Sequence, residues 1–139
     1  MLKSILCLLL MGACVSRAAD NYVHGPESQR RSGVPEGRVE TFTFADSKVF
    51  PGTTRDAWVY IPAQYDPAKP AALMVFQDGH AYVRTNGDMR VPIVFDNLIH
   101  AGDMPVTIAI FVNPGHRGDG APEGSGWGPR NNRSFEYDS

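Results

Sequence analysis

Ala71-Ala-Leu-Met-Val-Phe76, with Pro70 in front and Asp78-Gly79 behind, and Pro105-Val-Thr-Ile-Ala-Ile-Phe-Val112, followed by Asn113-Pro114-Gly115, are two uninterrupted apolar runs in the middle of a 139-residue sequence. Runs of this length between turn residues predict strands buried on both faces, the kind found in parallel sheets. Between them Val91, Val94, Phe95, Leu98 and Ile99 recur at i, i+3, i+4, i+7 and i+8, one apolar stripe of a helix. Pro92 suits its first turn and Gly102 its end. Strand, helix, strand at this length is one βαβ crossover, which places the chain in the α/β class.

Working outward toward the N-terminus, Val39-Glu-Thr-Phe-Thr-Phe44 alternates apolar with polar over β-branched and aromatic residues, the pattern of a half-buried antiparallel strand. Ser47-Lys-Val-Phe50 is expected to continue it after a turn, and Pro51-Gly52 is a turn signal. Arg55-Asp-Ala-Trp-Val-Tyr-Ile61 then predicts a second strand that ends at Pro62. The two should pair as an antiparallel ribbon with Trp58 and Tyr60 on one face, both used for packing. Residues 20–37 are polar, show no apolar period, and are read as an extended leader whose Arg30-Arg31 pair is solvated.

Residues 1–19 carry a different signal. Met1-Leu2-Lys3 is a short positive start, Ile5 to Met11 an apolar run too short to cross a bilayer, and Ser16-Arg17-Ala18 a small-x-small cleavage pattern, together a secretory signal peptide. Met11-Gly12-Ala13-Cys14 also admits a second reading, a lipoprotein signal with Cys14 acylated. Both cysteines, Cys7 and Cys14, lie in this segment, so the exported chain has neither a disulfide framework nor a thiolate metal site. Thirteen basic against fifteen acidic residues give a formal charge of −2 and no polybasic patch, which argues against nucleic acid and against anionic lipid as partners. No later run approaches the ~20 apolar residues of a membrane span.

The chemically informative stretch is Phe76-Gln-Asp-Gly-His-Ala-Tyr82, directly after a central strand. Ligands of open α/β sheets bind at the carboxyl ends of strands. Gly79 allows a sharp turn that leaves the following N–H groups free to point at a developing oxyanion, which makes Asp78, Gly79 and His80 the candidates for an oxyanion hole. The plainer reading of the same residues is a strand-to-loop turn in which Asp78 bonds its own backbone and His80 is solvated. His116 with Asp119 resembles a metal pair only loosely, and its ordinary role in a Gly-rich stretch is solubility. Gly124-Ser125-Gly126-Trp127-Gly128 does not place a serine at the centre of a Gly-x-Ser-x-Gly elbow, so no catalytic residue is assigned. At the end of the chain, Asn132-Arg-Ser-Phe-Glu-Tyr-Asp-Ser139 has the look of a helix start, with Asn132 or Ser134 as its cap.

Phe50-Pro-Gly-Thr-Thr-Arg-Asp-Ala-Trp-Val-Tyr-Ile-Pro62, Leu73-Met-Val-Phe-Gln-Asp-Gly79 and Asn132-Arg-Ser-Phe-Glu-Tyr-Asp138 together resemble the N-terminal half of the enterochelin-esterase-like family of the α/β-hydrolases. The resemblance covers roughly residues 39–139. It implies an incomplete α/β-hydrolase sheet over residues 38–139, in which the loop of Asp78, Gly79 and His80 builds half of an oxyanion hole. In that family the serine nucleophile, the triad acid and the triad histidine follow in the chain after the region matched here. The expected protein is thus a fragment of an exported serine carboxylic-ester hydrolase, inactive as it stands, with a small-molecule ester as the complete enzyme's substrate and with no cofactor and no metal. A second expectation, from another class, is a non-catalytic binding module for carbohydrate that stacks sugars on Trp58, Tyr82 and Trp127. On either reading one face of the sheet is left without a helix to cover it.

Overall fold

The computed structural model describes residues 23–117 and 133–137. The proposed signal peptide, Cys14, Ser125, Trp127 and Asp119 lie outside the described residues. Four strands form one mixed sheet: β1 (Arg38–Phe44), β2 (Arg55–Ile61), β3 (Ala72–Gln77) and β4 (Thr107–Val112). Their order is β1-β2-β4-β3, with β1 and β2 antiparallel, β2 and β4 antiparallel, and β3 and β4 parallel. The ribbon and the parallel pair are therefore those expected, and β4 joins them into a single sheet. Among the described residues three helices accompany the strands: α1 (Gly79–Tyr82), α2 (Val91–Ala101) and α3 (Arg133–Tyr137).

α2 begins and ends where its residues dictate. Proline stands in its first turn, and Gly102 closes it at φ 81 in the left-handed region that favours glycine. Its apolar side lies on the sheet face that carries Tyr60, Ala109 and Phe111. The Phe95 ring meets Tyr60 edge-on at 5.8 Å and Phe76 at 6.0 Å, and Phe76 stacks on Phe111 at 5.1 Å. Trp58, on the same face as Tyr60 as expected, packs partly buried against this cluster.

Among the described residues, no element covers most of the opposite face. Here four expectations fail. β3 was read as buried on both faces, yet it is an edge strand with Leu73 62% and Val75 57% exposed, and only its Phe76 reaches the core. β4 alternates buried and half-buried residues rather than being buried throughout. The cause is topological: an apolar strand is buried on both sides only when helices cover both faces, and among the described residues α2 covers one. β1, read as half-buried, is likewise an exposed edge strand, and residues 47–50 make a bend rather than a continuation of it.

The leader is not free of the fold either. It contains a 3₁₀ turn (Pro26–Ser28) and lies along α2, where Asn97 donates from Nδ2 to the carbonyls of Glu27 and Gln29 at 2.8 and 2.9 Å. Arg30, expected to be solvated, donates to the Asp96 carboxylate at 2.6 Å. Asp96 also accepts from the Tyr60 hydroxyl at 2.7 Å and from the Gly37 N–H at 2.8 Å. The apolar stripe of α2 did not reveal this second, polar stripe, because Asp96 and Asn97 are buried through partners 36 or more positions away.

This arrangement has a consequence for alkaline stability. Burial and the hydrogen bond to Asp96 raise the Tyr60 phenol well above its ordinary value of 10.0. Below pH 10 both folded and unfolded chains hold the proton, and the stabilisation is complete. Above it the unfolded chain ionises while the native phenol does not, so stability falls as pH rises. Tyr60→Phe is expected to lose about 1 kcal/mol at pH 8 and to show a flatter decline between pH 10 and 11 in urea melts. An undiminished decline in the variant would assign the effect to another group.

Candidate active site: the loop after β3

β3 runs into the site at Gln77. Asp78 then takes a left-handed conformation, φ 56 and ψ 41, which turns the chain into α1. That geometry costs a non-glycine residue on the order of 1 kcal/mol, and Asp78 is held in it from both ends. Its N–H donates to the Tyr137 hydroxyl oxygen at 3.2 Å, and its carboxylate accepts two parallel bonds from the Arg133 guanidinium at 2.9 and 2.8 Å. Burial pushes the Tyr137 phenol above its usual range, against the lowering effect of the Asp78 N–H.

Gly79 sits against β4 so closely that a Cβ would lie 2.6 Å from the backbone of Phe111 and Val112. Neither backbone group can step aside without breaking the sheet. Gly79→Ala is therefore expected to destabilise by about 1–3 kcal/mol through overpacking, measured as a shift of the urea midpoint; an unchanged midpoint would contradict the close approach.

His80, expected to be solvated, is buried. Its N–H donates to Asn113 Oδ1 at 3.0 Å and its ring Nδ1 lies 2.9 Å from the same oxygen. Because the backbone N–H requires an acceptor, the Asn113 amide must point its oxygen here, and His80 then carries its ring proton on Nδ1. Asn113 follows β4 directly, donates its own N–H to the Asp56 carbonyl at 3.0 Å, and so ties the loop after β3 to the start of β2. Two of the three backbone N–H groups named from the sequence are thus engaged, those of Asp78 and His80. For the Gly79 N–H, at the open end of α1, no partner is found among the described residues. A cavity of about 440 Å³ lined by Val75, Phe76, Gln77, Asp78 and Tyr82 opens beside the loop.

Behind the loop, α3 is anchored by Glu136, which forms a buried ion pair with Arg55 at 2.5 and 3.2 Å and accepts from the Gly115 N–H at 2.8 Å. The Arg55 guanidinium lies over the rings of Phe44 and Phe50 at 5.8 and 5.6 Å. Ser134, one of the two suggested caps, lies inside α3, and Asn132, the other, is outside the described residues. His116, expected to be solvated, is buried and bridges to Thr54 through its backbone. Among the described residues no group of three His, Cys, Asp or Glu side chains is placed to hold a metal, and no helix is long and apolar enough to cross a membrane. Of the residues named for sugar stacking, Trp58 packs partly buried on the core, Tyr82 lies 5.2 Å from Phe76, and Trp127 is outside the described residues.

Asn113, Arg133, Glu136 and Tyr137 were not singled out from the sequence as site residues. For Asn113 a signal existed, since it stands at the carboxyl end of a parallel strand beside β3, where the ligand rule for α/β sheets applies.

Comparison with solved structures bears on the fold. The feruloyl esterase module of Clostridium thermocellum, in complex with sinapinate, superposes with a TM-score of 0.54 at 17% identity, over 81% of this chain and 36% of that one. A CE1 ferulic acid esterase of Anaeromyces mucronatus, in complex with ferulic acid, superposes with a TM-score of 0.54 at 19% identity, over 81% of this chain and 44% of that one. The chain carries part of the α/β-hydrolase fold. It spans less than half the length of these solved structures. No protein-family model and no curated protein matches the sequence.

Proposed function

We propose that this chain is the N-terminal part of an exported serine carboxylic-ester hydrolase and supplies one side of its oxyanion hole. The observation that carries the reading is the Gly79 N–H. It stands at the carboxyl end of β3, in a strand-to-helix turn locked by neighbours on both sides, and no group among the described residues accepts from it. An N–H fixed in advance at such a place stabilises the negative oxygen of a tetrahedral intermediate, because little reorganisation is needed when the charge develops. On this reading the nucleophile, its base and its acid belong to polypeptide outside these 139 residues. The enterochelin-esterase-like sequence motifs support the same reaction class. The two esterases named above are described with sinapinate and ferulic acid, so esters of aromatic acids are the first substrates to try.

The reading is tested in two steps. The 139-residue chain is expected to leave a nitrophenyl ester untouched. The gene is expected to continue in frame through a Gly-x-Ser-x-Gly elbow, and the extended chain to hydrolyse methyl ferulate and to be silenced by a serine-directed phosphonate. Phosphonate-sensitive turnover by the 139-residue chain alone, or an extended reading frame with no such elbow, overturns it.

A further inference from the structure

The unusual feature of the loop is that a residue with a side chain, Asp78, holds the left-handed turn where glycine would do so without strain. Locally the Asp78 carbonyl accepts from the Ala81 N–H at 2.9 Å, and the side chain and N–H of Asp78 are held by a distant segment. Arg133, 55 positions later, grips the carboxylate with two parallel charge-assisted bonds, and Tyr137, 59 positions later, receives the N–H. Arg133 also lies over the Tyr137 ring at 5.3 Å, so the two grips brace one another. α3 is in turn fixed to the sheet by the buried pair of Glu136 with Arg55. Every contact in this chain of interactions is internal to the protein, and the turn it holds is the one that orients the Gly79 N–H and seats the His80 N–H on Asn113.

We infer that Arg133 and Tyr137 are positioning residues, a clamp through which α3 sets the conformation of Asp78 and hence the direction of the N–H donors that follow it. The inference rests on the proposed function only for what those donors are for; the clamp itself concerns geometry that this chain possesses without any chemistry. A strained residue held by remote side chains has a testable signature. Glycine at the same position needs no clamp, so Asp78→Gly should make the loop indifferent to the loss of Arg133.

The experiment is amide hydrogen exchange followed by NMR on the 139-residue chain, read at His80, whose N–H is protected through Asn113, and at Ile110, inside the paired strand β4. Arg133→Ala and Tyr137→Phe are each expected to accelerate His80 exchange by about tenfold and to leave Ile110 unchanged. In the Asp78→Gly background the additional Arg133→Ala change is expected to leave the His80 rate where it was. Arg133→Lys, which keeps the charge and loses the fork, should behave like Arg133→Ala. Equal acceleration at His80 and Ile110 would make Arg133 a general stabiliser, and an Arg133→Ala effect that persists in the glycine background would show that the clamp does not act through Asp78. Either result overturns the inference. Because no arm of the test measures ester turnover, a failed esterase assay leaves this outcome readable, and the reverse holds too.

Discussion

Glu136→Ala is expected to lower the stability of the chain by about 3–5 kcal/mol, the usual effect of removing one partner from a buried ion pair. The side chains of Arg55 and Glu136 are 7% and 4% exposed, so the loss leaves a guanidinium charge with almost no access to water. The same carboxylate accepts from the Gly115 N–H, which is orphaned as well. Against a typical total of about 5–15 kcal/mol, such a loss brings a chain with a bare sheet face close to unfolding at ambient temperature. Thermal melts at neutral pH are the direct measurement, and an effect of this size corresponds to a fall of more than about 10 °C in a domain of this length. The double change Arg55→Met with Glu136→Leu removes both charges together and is expected to be far milder than either single change. If the double variant is as unstable as Glu136→Ala, the damage comes from lost packing and not from the stranded charge.

Asp96→Ala should have an effect of similar size, about 3–4 kcal/mol, by a different route. Asp96 is 1% exposed and is the shared acceptor for the Tyr60 hydroxyl, itself fully buried, the Gly37 N–H and the Arg30 guanidinium. Its removal strands a buried hydroxyl and a backbone donor and releases the leader from α2. Arg30 keeps partial access to solvent, so its share of the loss is modest; Arg30→Ala is expected to cost about 1 kcal/mol. Asp96→Asn retains one acceptor oxygen and should fall between the two. Urea midpoints that rank wild type above Arg30→Ala, then Asp96→Asn, then Asp96→Ala would support the shared-acceptor account. Equal losses for Arg30→Ala and Asp96→Ala would reduce it to a simple salt bridge.

These two anchors show where sequence reading reached and where it stopped. The loop after β3 was legible as a candidate site because it combines three local facts: an apolar strand, a glycine, and a place at the strand's carboxyl end. The state of its residues was not. His80 has no partner at helical or hairpin spacing, so solvation was the sensible expectation, and its burial depends on Asn113, 33 positions further on. Arg30 looked solvated for the same reason, with Asp96 66 positions away. The apolar composition of Ala72–Gln77 correctly marked a strand, but burial on both faces is a property of what lies above and below it.

The sequence by itself determined the four strands, α2 and their local junctions. The alternation in β1, the turn at Pro51-Gly52, the stripe of α2, and its limits at Pro92 and Gly102 all follow from periodicity and from backbone preferences that act within a few residues. Only the tertiary structure decided that β4 lies between β2 and β3, that β3 is left at an edge, and that Arg55 and Asp78 take Glu136 and Arg133 as partners across 81 and 55 positions. The reason is that any of the chain's acidic groups can in principle satisfy a given arginine. The choice among them is made by proximity and exclusion of water, and both exist only once the sheet has formed.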